Sequence, residues 1–496
     1  MKVQKTKIDD ILYILDETAF VIEDELDGIT KIFVPEDSFN SYCVLNPNIN
    51  IIYPYNYKTY QVNQDSRLYK NTHIIITTES NAPVMSVMFS KGLCANPNYM
   101  TQAEAESVSN EQLDSLFENN NDVVSFMEFQ YFTGCTRTGK RMFMNCENFE
   151  RVELPKTITF IDERFATFGN ALITAGKVSK LKYVGGVENV EMISSTNPFQ
   201  YADSLETLNF TEKLKRKLKF NSANNKDATI HSSIRTFGDL SGLEEIETYA
   251  FQGITSLKEI NLPKITVVPT SAFYESNIKP ILNWKNITEI GNSAFSVSNA
   301  REAYPILDYV PNMPNLTVIG TAAFQNPSVK GIGNMPNLTI LQTTAFNLAR
   351  NLEYVGDMPK LTEIKMASFN NCNKLRRVGN IPLVTNIGMN AFEHCWELET
   401  IGNCDSLTHI DDRAFGRCFA LSAYFPNVTR IGDYAFCMDT YNDPMEKPRI
   451  IEFGKSYNEI TFEQEPFKAC TKTKIICNGE ELTEAQYTAV GATKPE

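Results

Sequence analysis

The 496-residue sequence is poor in the residues on which most catalytic and metal-binding sites depend. It contains four histidines and two tryptophans, and so few histidines argue against a multi-histidine metal site. The eleven cysteines include no C-x-x-C pair, so neither a zinc module nor a secreted disulfide framework is indicated. The G-x-G-x-x-G, H-E-x-x-H and G-x-S-x-G motifs are also missing. We therefore predict a non-enzymatic protein without catalytic residues, cofactor or metal.

Long apolar runs and an excess of basic charge are missing as well. No run of eighteen apolar residues occurs, so no membrane insertion is expected. The basic start, Met1–Lys7, leads to Asp9 and Asp10 and not to an apolar segment, and we expect no secretory signal peptide. With 46 basic and 60 acidic residues the net charge is −14, which argues against nucleic acid as a partner. Residues 101–130 contain seven acidic and no basic residues, which indicates a domain boundary.

What the sequence does contain is an internal repeat. A small residue followed by phenylalanine recurs at intervals of 21 to 23 residues, with one interval of 29. One aliphatic residue lies five positions and another eight positions before each phenylalanine, and proline often lies ten positions before it. We predict that these phenylalanines form the structural core of the repeat: Phe251, Phe273, Phe295, Phe324, Phe346, Phe369, Phe392, Phe415 and Phe436.

Each repeat unit is too short to fold alone. Intervals of three residues do not suit one long strand, and no unit contains a full amphipathic helix, so we predict a short strand and a helical or 3₁₀ turn per unit. Stacking would bury the phenylalanine and the aliphatic side chains of each coil against the next coil. The sequence therefore predicts an α/β repeat solenoid.

The best-formed units resemble a known family. Residues 407–421, LTHIDDRAFGRCFAL, and residues 428–436, VTRIGDYAF, are similar to the BspA-type leucine-rich repeat, which favours I-G-x-x-A-F followed by C-x-x-L. This resemblance covers about residues 125–470 and implies a solenoid with a binding role. Residues 100–108 and 126–134 carry a second resemblance, to the connector in front of such repeats in structural proteins of phages that infect gut Bacteroidetes.

The repeat and its flanks divide the chain into four predicted parts. Residues 1–97 lack the repeat and contain aromatic and β-branched runs, so we predict a small β-rich N-terminal attachment domain. Residues 98–124 contain two capping-box patterns and are predicted to form an acidic helical connector. Residues 125–473 are predicted to form the solenoid, and residues 474–496 a C-terminal cap with a strand, a turn and a short helix.

Cysteines and N-x-T triplets both recur in register with the repeat. The cysteines could form a metal or disulfide ladder, since stacked coils bring equivalent positions to about 5 Å, but buried free thiols are the favoured interpretation. We interpret the triplets as a consequence of the repeat register, in preference to glycosylation. The cysteines are Cys146, Cys372, Cys395, Cys418 and Cys470, and the triplets begin at Asn286, Asn315, Asn337 and Asn427.

Other local patterns have a structural interpretation that we favour over a functional one. Gly134–Lys140 approaches a phosphate-binding loop, but Arg141 stands where a serine or threonine should be. His394 and His409 lie inside repeats without a nucleophile pattern. The basic stretch 213–219 is interpreted as a solvated loop. This stretch and the longer interval after Phe295 break the repeat register and are predicted to be loops on one face.

Two functional hypotheses follow. The first is a structural and binding protein of a phage virion, in a tail or appendage, whose solenoid contacts other virion proteins or a host-surface protein or glycan. The second is a bacterial cell-surface or secreted adhesin, the setting in which BspA-type repeats are best known. The lack of a legible export signal favours localisation in the virion, and formation of a homo-oligomer is compatible with either hypothesis.

Overall fold

The computed structural model shows a chain of many short strands joined by turns. It describes residues 5–15, 28–35, 52–55, 67–167, 172, 176–177, 179–194, 198–199, 201–202, 204–215, 234–254, 257, 259–276, 279–297, 307–438 and 445–495. The chain forms two compact units, Met1–Val190 and Glu191–Glu496. The boundary between these units lies within the predicted solenoid, and the four-part division remains a prediction. None of the helices in the described ranges is long and apolar enough to cross a membrane.

A four-stranded sheet lies near the start of the first unit. Its strands are β1 (Lys5–Ile8), β2 (Ile11–Ile14), β3 (Lys31–Pro35) and β4 (Ile52–Tyr55). Strands β1 and β2 pair antiparallel, whereas β2, β3 and β4 run parallel. Ile32 and Val34 are fully buried, because alternate side chains of a strand point to the same face. The parallel partners lie 20 positions apart, as in Ile32 with Ile52, so a repeat-like offset occurs where the sequence shows no repeat.

Two helices follow within the segment that was predicted to be β-rich. The elements are α1 (Arg67–Thr72), β5 (Ile74–Thr77), α2 (Thr78–Ser90) and β6 (Tyr99–Thr101). Helix α2 begins at a capping box formed by Thr77 and Ser80. The β-rich prediction missed it because the sequence TESNAPVMSVMFS has no regular apolar spacing and contains Pro83.

The acidic connector is helical only in its first part. Helix α3 (Gln102–Ser107) begins at the first predicted capping box, in which Thr101 and Glu104 each accept a backbone N–H of the other. The second predicted box gives a short 3₁₀ helix, Glu111–Leu113, without a capping side chain at its first residue. The first box therefore satisfies backbone donors at the start of its helix, whereas in the second only the Ser109 N–H is bonded, to Gln112 Oε1 at 2.8 Å.

Aromatic rings also stack just before residue 125, the predicted start of the solenoid. Phe117 is buried and stacks on Phe143 with ring centroids 5.2 Å apart. The residues two positions before and after each of these rings have positive φ. Strands β7, β8 and β10 of this part are parallel. The elements are β7 (Ser125–Phe126), a 3₁₀ helix (Met127–Tyr131), β8 (Arg151–Glu153), β9 (Phe160–Ile161) and β10 (Tyr183–Gly185).

In the second unit, successive coils contribute short strands to two kinds of parallel sheet. The A strands, which end five residues before the repeat phenylalanine, are β15 (Val267–Val268), β17 (Glu289–Ile290), β19 (Val318–Ile319), β21 (Ile340–Leu341), β23 (Glu363–Ile364), β25 (Asn386–Ile387), β27 (His409–Ile410), β29 (Arg430–Ile431) and β31 (Thr461–Phe462). The B strands, which follow the phenylalanine, are β18 (Tyr309–Val310), β20 (Gly331–Ile332), β22 (Tyr354–Val355), β24 (Arg377–Val378) and β26 (Thr400–Ile401). The A strands form two sheets, β15 to β21 and β23 to β31, and the B strands form one.

The described coils of the second unit contain no α-helix. The predicted helical or 3₁₀ turn takes the form of turns closed by hydrogen bonds between residues three positions apart, such as Ala414 N–H to the Asp411 carbonyl and Cys418 N–H to the Phe415 carbonyl, both at 3.2 Å. Positive φ at the residue two before the ring interrupts any right-handed helix. The remaining strands of this unit before the cap are β11 (Met192–Ile193), β12 (Thr207–Phe210), β13 (Thr236–Gly238), β14 (Glu259–Leu262), β16 (Lys279–Leu282), β28 (Ala423–Phe425) and β30 (Arg449–Phe453).

The C-terminal residues contain the predicted strand, turn and short helix. After a 3₁₀ helix (Tyr457–Glu459), the elements are β32 (Thr473–Cys477), β33 (Glu480–Glu481) and α4 (Glu484–Ala489). Asn478 and Gly479 both have positive φ and form the turn between β32 and β33. Helix α4 begins at a capping box of Thr483 and Gln486.

Candidate binding surfaces of the repeat

The nine phenylalanines of the predicted core form one stacked column in the second unit. All nine are completely buried, and successive ring centroids are 5.0 to 5.4 Å apart. Phe467 continues the column at 4.7 Å from Phe436. Because these rings are shielded from solvent, the column is the scaffold of the repeat, and any binding surface must lie on the outward-facing residues of the strands and turns.

The turn around each ring is held by hydrogen bonds between coils. Asn390 and His394, two residues before and after Phe392, have φ of 57° and 64°, values that cost non-glycine residues energy. The Phe392 N–H donates to the carbonyl of Ala414 at 2.7 Å. The same bond recurs from coil to coil, so each turn is held in its strained conformation by the next coil.

The repeat cysteines are buried free thiols. Each donates its S–H to the carbonyl of the phenylalanine one coil earlier, as Cys395 does to Phe369 at 3.1 Å and Cys418 to Phe392 at 3.2 Å. Burial raises the pKa of the Cys418 thiol to about 12. A thiol that is neutral and engaged in this way is a structural group, and the ladder of disulfides considered from sequence is not formed.

Three of the four N-x-T triplets, those of Asn315, Asn337 and Asn427, make hydrogen bonds between coils through both of their polar side chains. Asn337 Nδ2 donates to the carbonyl of Pro314 at 2.7 Å, and Asn427 Nδ2 donates to that of Asp405 at 2.8 Å. Thr339, the threonine of the triplet that begins at Asn337, donates its hydroxyl hydrogen to the carbonyl of Thr317 at 3.2 Å. The amide nitrogen that glycosylation would modify is therefore already used in stacking the coils.

The other candidates from the sequence also have structural surroundings. In the segment Gly134–Lys140, Arg137 donates to Asp114 at 2.8 Å and lies 3.3 Å from a carboxylate oxygen of Asp162. His394 contacts the Arg417 guanidinium at 2.8 Å, whereas His409 is exposed on β27. The described ranges contain no group of three or more histidine, cysteine or acidic side chains that could hold a metal ion.

Two of the predicted loops lie largely outside the described residues. Most of the basic stretch 213–219 falls outside the described residues, as do residues 298–306 of the longer interval after Phe295. Their prediction as loops on one face remains a prediction.

The side of the coils that carries the A strands has exposed apolar residues among polar ones, on the strands and in the turns next to them. Inward residues such as Ile364 and Ile387 are completely buried, whereas the outward residues face solvent. Four exposed residues on three successive coils form what we call the A-face apolar patch, with 40% to 49% of each residue accessible. The Ala367 N–H donates to the carbonyl of Met389 at 2.9 Å, which brings Met366 and Met389 of neighbouring coils side by side. The patch consists of Ile340, Met366, Leu383 and Met389.

The B strands present a more polar face. Their outward residues are Tyr309, Gly331, Tyr354, Arg377 and Thr400, in register across five strands. Beyond the strand ends lies a groove of about 370 Å³ whose lining includes three glycines and the side chains of an asparagine and aspartate ladder. The B side therefore carries aromatic rings and a polar groove, whereas the A side carries the A-face apolar patch beside polar and charged outward residues such as Glu363 and Arg430.

The sequence matches the family of the BspA type leucine-rich repeat region over residues 114–241, 179–302, 231–353 and 317–443, which together extend from residue 114 to residue 443. The chain belongs to this family. The match begins at residue 114, close to Phe117, whose ring stacks on that of Phe143 in the structure. No curated protein matches the chain.

Several solved structures are similar to this BspA-type chain at low sequence identity. A leucine-rich repeat protein from Bacteroides ovatus is 18% identical, with 69% of this chain and 88% of that chain covered and a TM-score of 0.42. A leucine rich cell surface protein from Faecalibacterium prausnitzii is 20% identical, with coverage of 70% and 83% and a TM-score of 0.36. An internalin from Listeria monocytogenes is 11% identical, with coverage of 84% and 94% and a TM-score of 0.24.

The family pattern describes the core and leaves the polar face out. The B-strand groove was not anticipated from the sequence, although an aliphatic residue, glycine and then asparagine or aspartate recurs at 332–334, 355–357, 378–380 and 401–403. This recurring motif is the feature of the sequence that could have indicated the groove. It lies after the C-x-x-L segment by which the BspA-type repeat was identified, outside the pattern that was interpreted.

Proposed function

We propose that this BspA-type chain is a non-enzymatic binding protein that attaches to protein partners as a bacterial cell-surface or secreted adhesin does. The observation that carries the proposal is the A-face apolar patch. Met366 and Met389 lie side by side on neighbouring coils, and adjacent exposed apolar side chains mark candidate interaction sites. Methionine side chains adapt to different partner shapes, which suits a recognition surface.

The charge distribution supports contact through shape and apolar area. Most of the net charge of −14 belongs to the first 130 residues, so the repeat that carries the patch is close to neutral. Long-range repulsion from an acidic or basic partner is then small. We expect the patch to contribute mainly to the dissociation rate of a complex, since apolar anchors act after encounter.

Binding to a panel of immobilised extracellular matrix proteins tests the proposal. The double variant Met366→Lys/Met389→Lys places two charges in the patch, and we expect it to weaken binding at least about tenfold, because each lysine loses apolar contact and must be desolvated. Gln464→Lys is the matched control, since Gln464 occupies the same repeat position in a distant coil and is exposed. Equal binding by the double variant and the control would contradict the role of the patch.

The cellular location needs a separate test. Immunolabelling of intact source cells should detect the chain at their surface, and mass spectrometry of virions purified from the same culture should not detect it. The second resemblance noted in the sequence supports the other candidate, a phage tail or appendage component. A chain found in purified virions and missing from the cell surface would favour that candidate.

A further inference from the structure

The B face carries two tyrosines that lean toward each other over a glycine. Tyr309 and Tyr354 lie on strands two coils apart, with Gly331 between them in register. Two strand spacings amount to about 9.6 Å. The centroids of the two tyrosine rings are nevertheless only 6.5 Å apart, and the ring planes differ by 22°. A Cβ at Gly331 would meet the Tyr354 ring at 2.4 Å. Gly331 therefore allows the Tyr354 ring to lie flat beside Tyr309, which is 57% exposed.

Arg377 is an exposed guanidinium beside this aromatic pair. It is the register partner of Tyr354 on the next strand. Neighbouring cations are paired, since Lys330 lies 3.0 Å from Asp308 and Arg376 lies 2.9 Å from Glu397. Arg377 has no carboxylate partner among the described residues. An unpaired guanidinium in a groove can bind a carboxylate of a ligand with two parallel hydrogen bonds.

The groove next to Arg377 offers hydrogen-bonding groups on a backbone floor. Gly379 approaches the preceding coil so closely that a Cβ would lie 2.6 Å from the Asp357 nitrogen. Asp357 Oδ1 accepts the N–H of Asn380 at 2.8 Å, and Asn334 Oδ1 accepts the N–H of Asp357 at 3.0 Å. Within the described ranges Asp357 Oδ2 and Asn334 Nδ2 have no partner. They are an acceptor and a donor that sugar hydroxyls can satisfy.

We propose that this groove binds an oligosaccharide that contains uronic acid residues. One sugar ring stacks its apolar face on Tyr354, and its carboxylate pairs with Arg377. Hydroxyl groups of the oligosaccharide form hydrogen bonds with Asp357, Asn334 and Thr400. Because Tyr354 and Arg377 occupy adjacent strands, about 4.8 Å apart, a carboxylate attached directly to the stacked ring lies within reach of Arg377. A uronic acid has that arrangement.

The surface fits a peptide less well. Strands β20, β22 and β24 are paired on both sides, so they offer no free edge to which an extended peptide could add as a strand. The groove is lined by glycine backbone and by amide, carboxylate and guanidinium groups, whereas an amphipathic helix needs an apolar groove. The site is separate from the A-face apolar patch and does not depend on it.

Titration of the full chain with short oligosaccharides of polygalacturonate, alginate and hyaluronan tests the proposal. At least one should bind, and its fully methyl-esterified form should bind at least about tenfold more weakly, because a charge-assisted hydrogen-bonded pair is lost. Arg377→Gln should weaken binding of the acidic oligosaccharide by a similar factor and leave binding of the ester unchanged. Tyr354→Ala should weaken binding of both ligands. Gly331→Ala should also weaken binding of both, because it displaces the Tyr354 ring.

Arg430→Gln is the matched control because Arg430 is an exposed outward arginine on the A face, paired with Glu463. It removes the same charge and should leave binding unchanged. Thermal melting of every variant shows that the fold is kept. Absence of binding by all three acidic oligosaccharides, or equal losses with Arg377→Gln and Arg430→Gln, would overturn the proposal. The Met366→Lys/Met389→Lys variant should bind the oligosaccharide normally, whatever its effect on protein partners.

Discussion

At the scale of single residues, the stacked ring is the main stabilising element of a coil. Phe369 lies between Phe346 and Phe392, with centroids 5.1 and 5.0 Å away, and is completely buried. Each ring therefore buries both of its faces against identical rings, so no rearrangement within one coil can replace it. The contribution of the column is a sum over neighbouring pairs, as expected for a repeat.

Phe369→Ser should destabilise the chain by about 3–5 kcal/mol, since it leaves a cavity and a hydroxyl in an apolar site. The shift in the denaturant midpoint of the second unit measures the effect. Met366→Ser, an exposed position in the same coil, should change the midpoint little. If both variants melted alike, the stacked column would not be the source of stability.

The buried thiols should make the chain sensitive to alkaline pH. Burial raises the pKa of Cys418 from 9.0 to about 12, and that of Cys146 likewise to about 12. Below pH 9 the thiols are neutral in the folded and unfolded states, so their contribution is complete. Between pH 9 and 12 only the unfolded chain ionises, and stability is lost as pH rises.

Melting temperatures from neutral pH to about pH 11 check this expectation. Other groups also titrate in this range, so the comparison is with Cys418→Ala, which should show a shallower loss over the same interval even though its stability at neutral pH is lower. If the melting temperatures of the two proteins fell in parallel as the pH rises, the Cys418 thiol would not contribute to the loss of stability.

At the scale of the element, glycine allows the coils to approach each other at the end of each B strand. At Gly379 a Cβ would lie 2.6 Å from the nitrogen of Asp357 and from the carbonyl carbon of Gly356. Both contacts are with backbone, which cannot move aside without separating the coils. The two-residue strands leave few hydrogen bonds to resist such a separation.

Gly379→Ala should therefore destabilise the chain by about 1–3 kcal/mol through overpacking. Gly416→Ala is the matched control, because its Cβ would meet nothing closer than 3.4 Å and its φ is not positive. The control should be neutral or slightly stabilising, since alanine restricts the unfolded chain. Equal melting of both variants would mean that the coils separate without cost at this corner.

The sequence pattern predicts the A strands better than the B strands. Aliphatic residues at fixed distances before the phenylalanine mark the A strands. The outward residues of the B strands are as different as Gly331 and Arg377, so no sequence pattern marks the outward surface of these strands. Arg449 was also unforeseen. It is buried, and donates to the carbonyls of Cys418 and Phe436 and to the Thr473 hydroxyl. No local pattern predicts a buried arginine whose partners lie 31, 13 and 24 positions away.

At the scale of the whole molecule, the last coil of the second unit is closed by the C-terminal residues. The N–H groups of Phe467 and Ala469 donate to the carbonyls of Val490 and Gly491 at 3.0 and 3.1 Å. The buried Tyr487 accepts the N–H of Ile475 at 2.9 Å. The cap therefore pairs backbone groups and covers the end of the ring column, as a repeat array requires.

A chain lacking residues 483–496 should melt at a lower temperature and self-associate, because the final ring and its backbone donors become exposed at an open end. Size-exclusion chromatography at several concentrations measures the association. A chain lacking only residues 494–496 should remain like the full chain, since the bonds of Val490, Gly491 and Thr493 are kept. A monomeric, equally stable long truncation would show that the cap is dispensable.

The sequence by itself determined the repeat, its period, the buried phenylalanines and the cap, because each follows from residues at fixed short spacings within one coil. Only the tertiary structure decided that Phe117 stacks on Phe143 and that Tyr309, Tyr354 and Arg377 share one surface. The physical reason is distance along the chain. These residues meet only when successive coils stack, and the stacking places side chains some 22 or 23 positions apart next to each other.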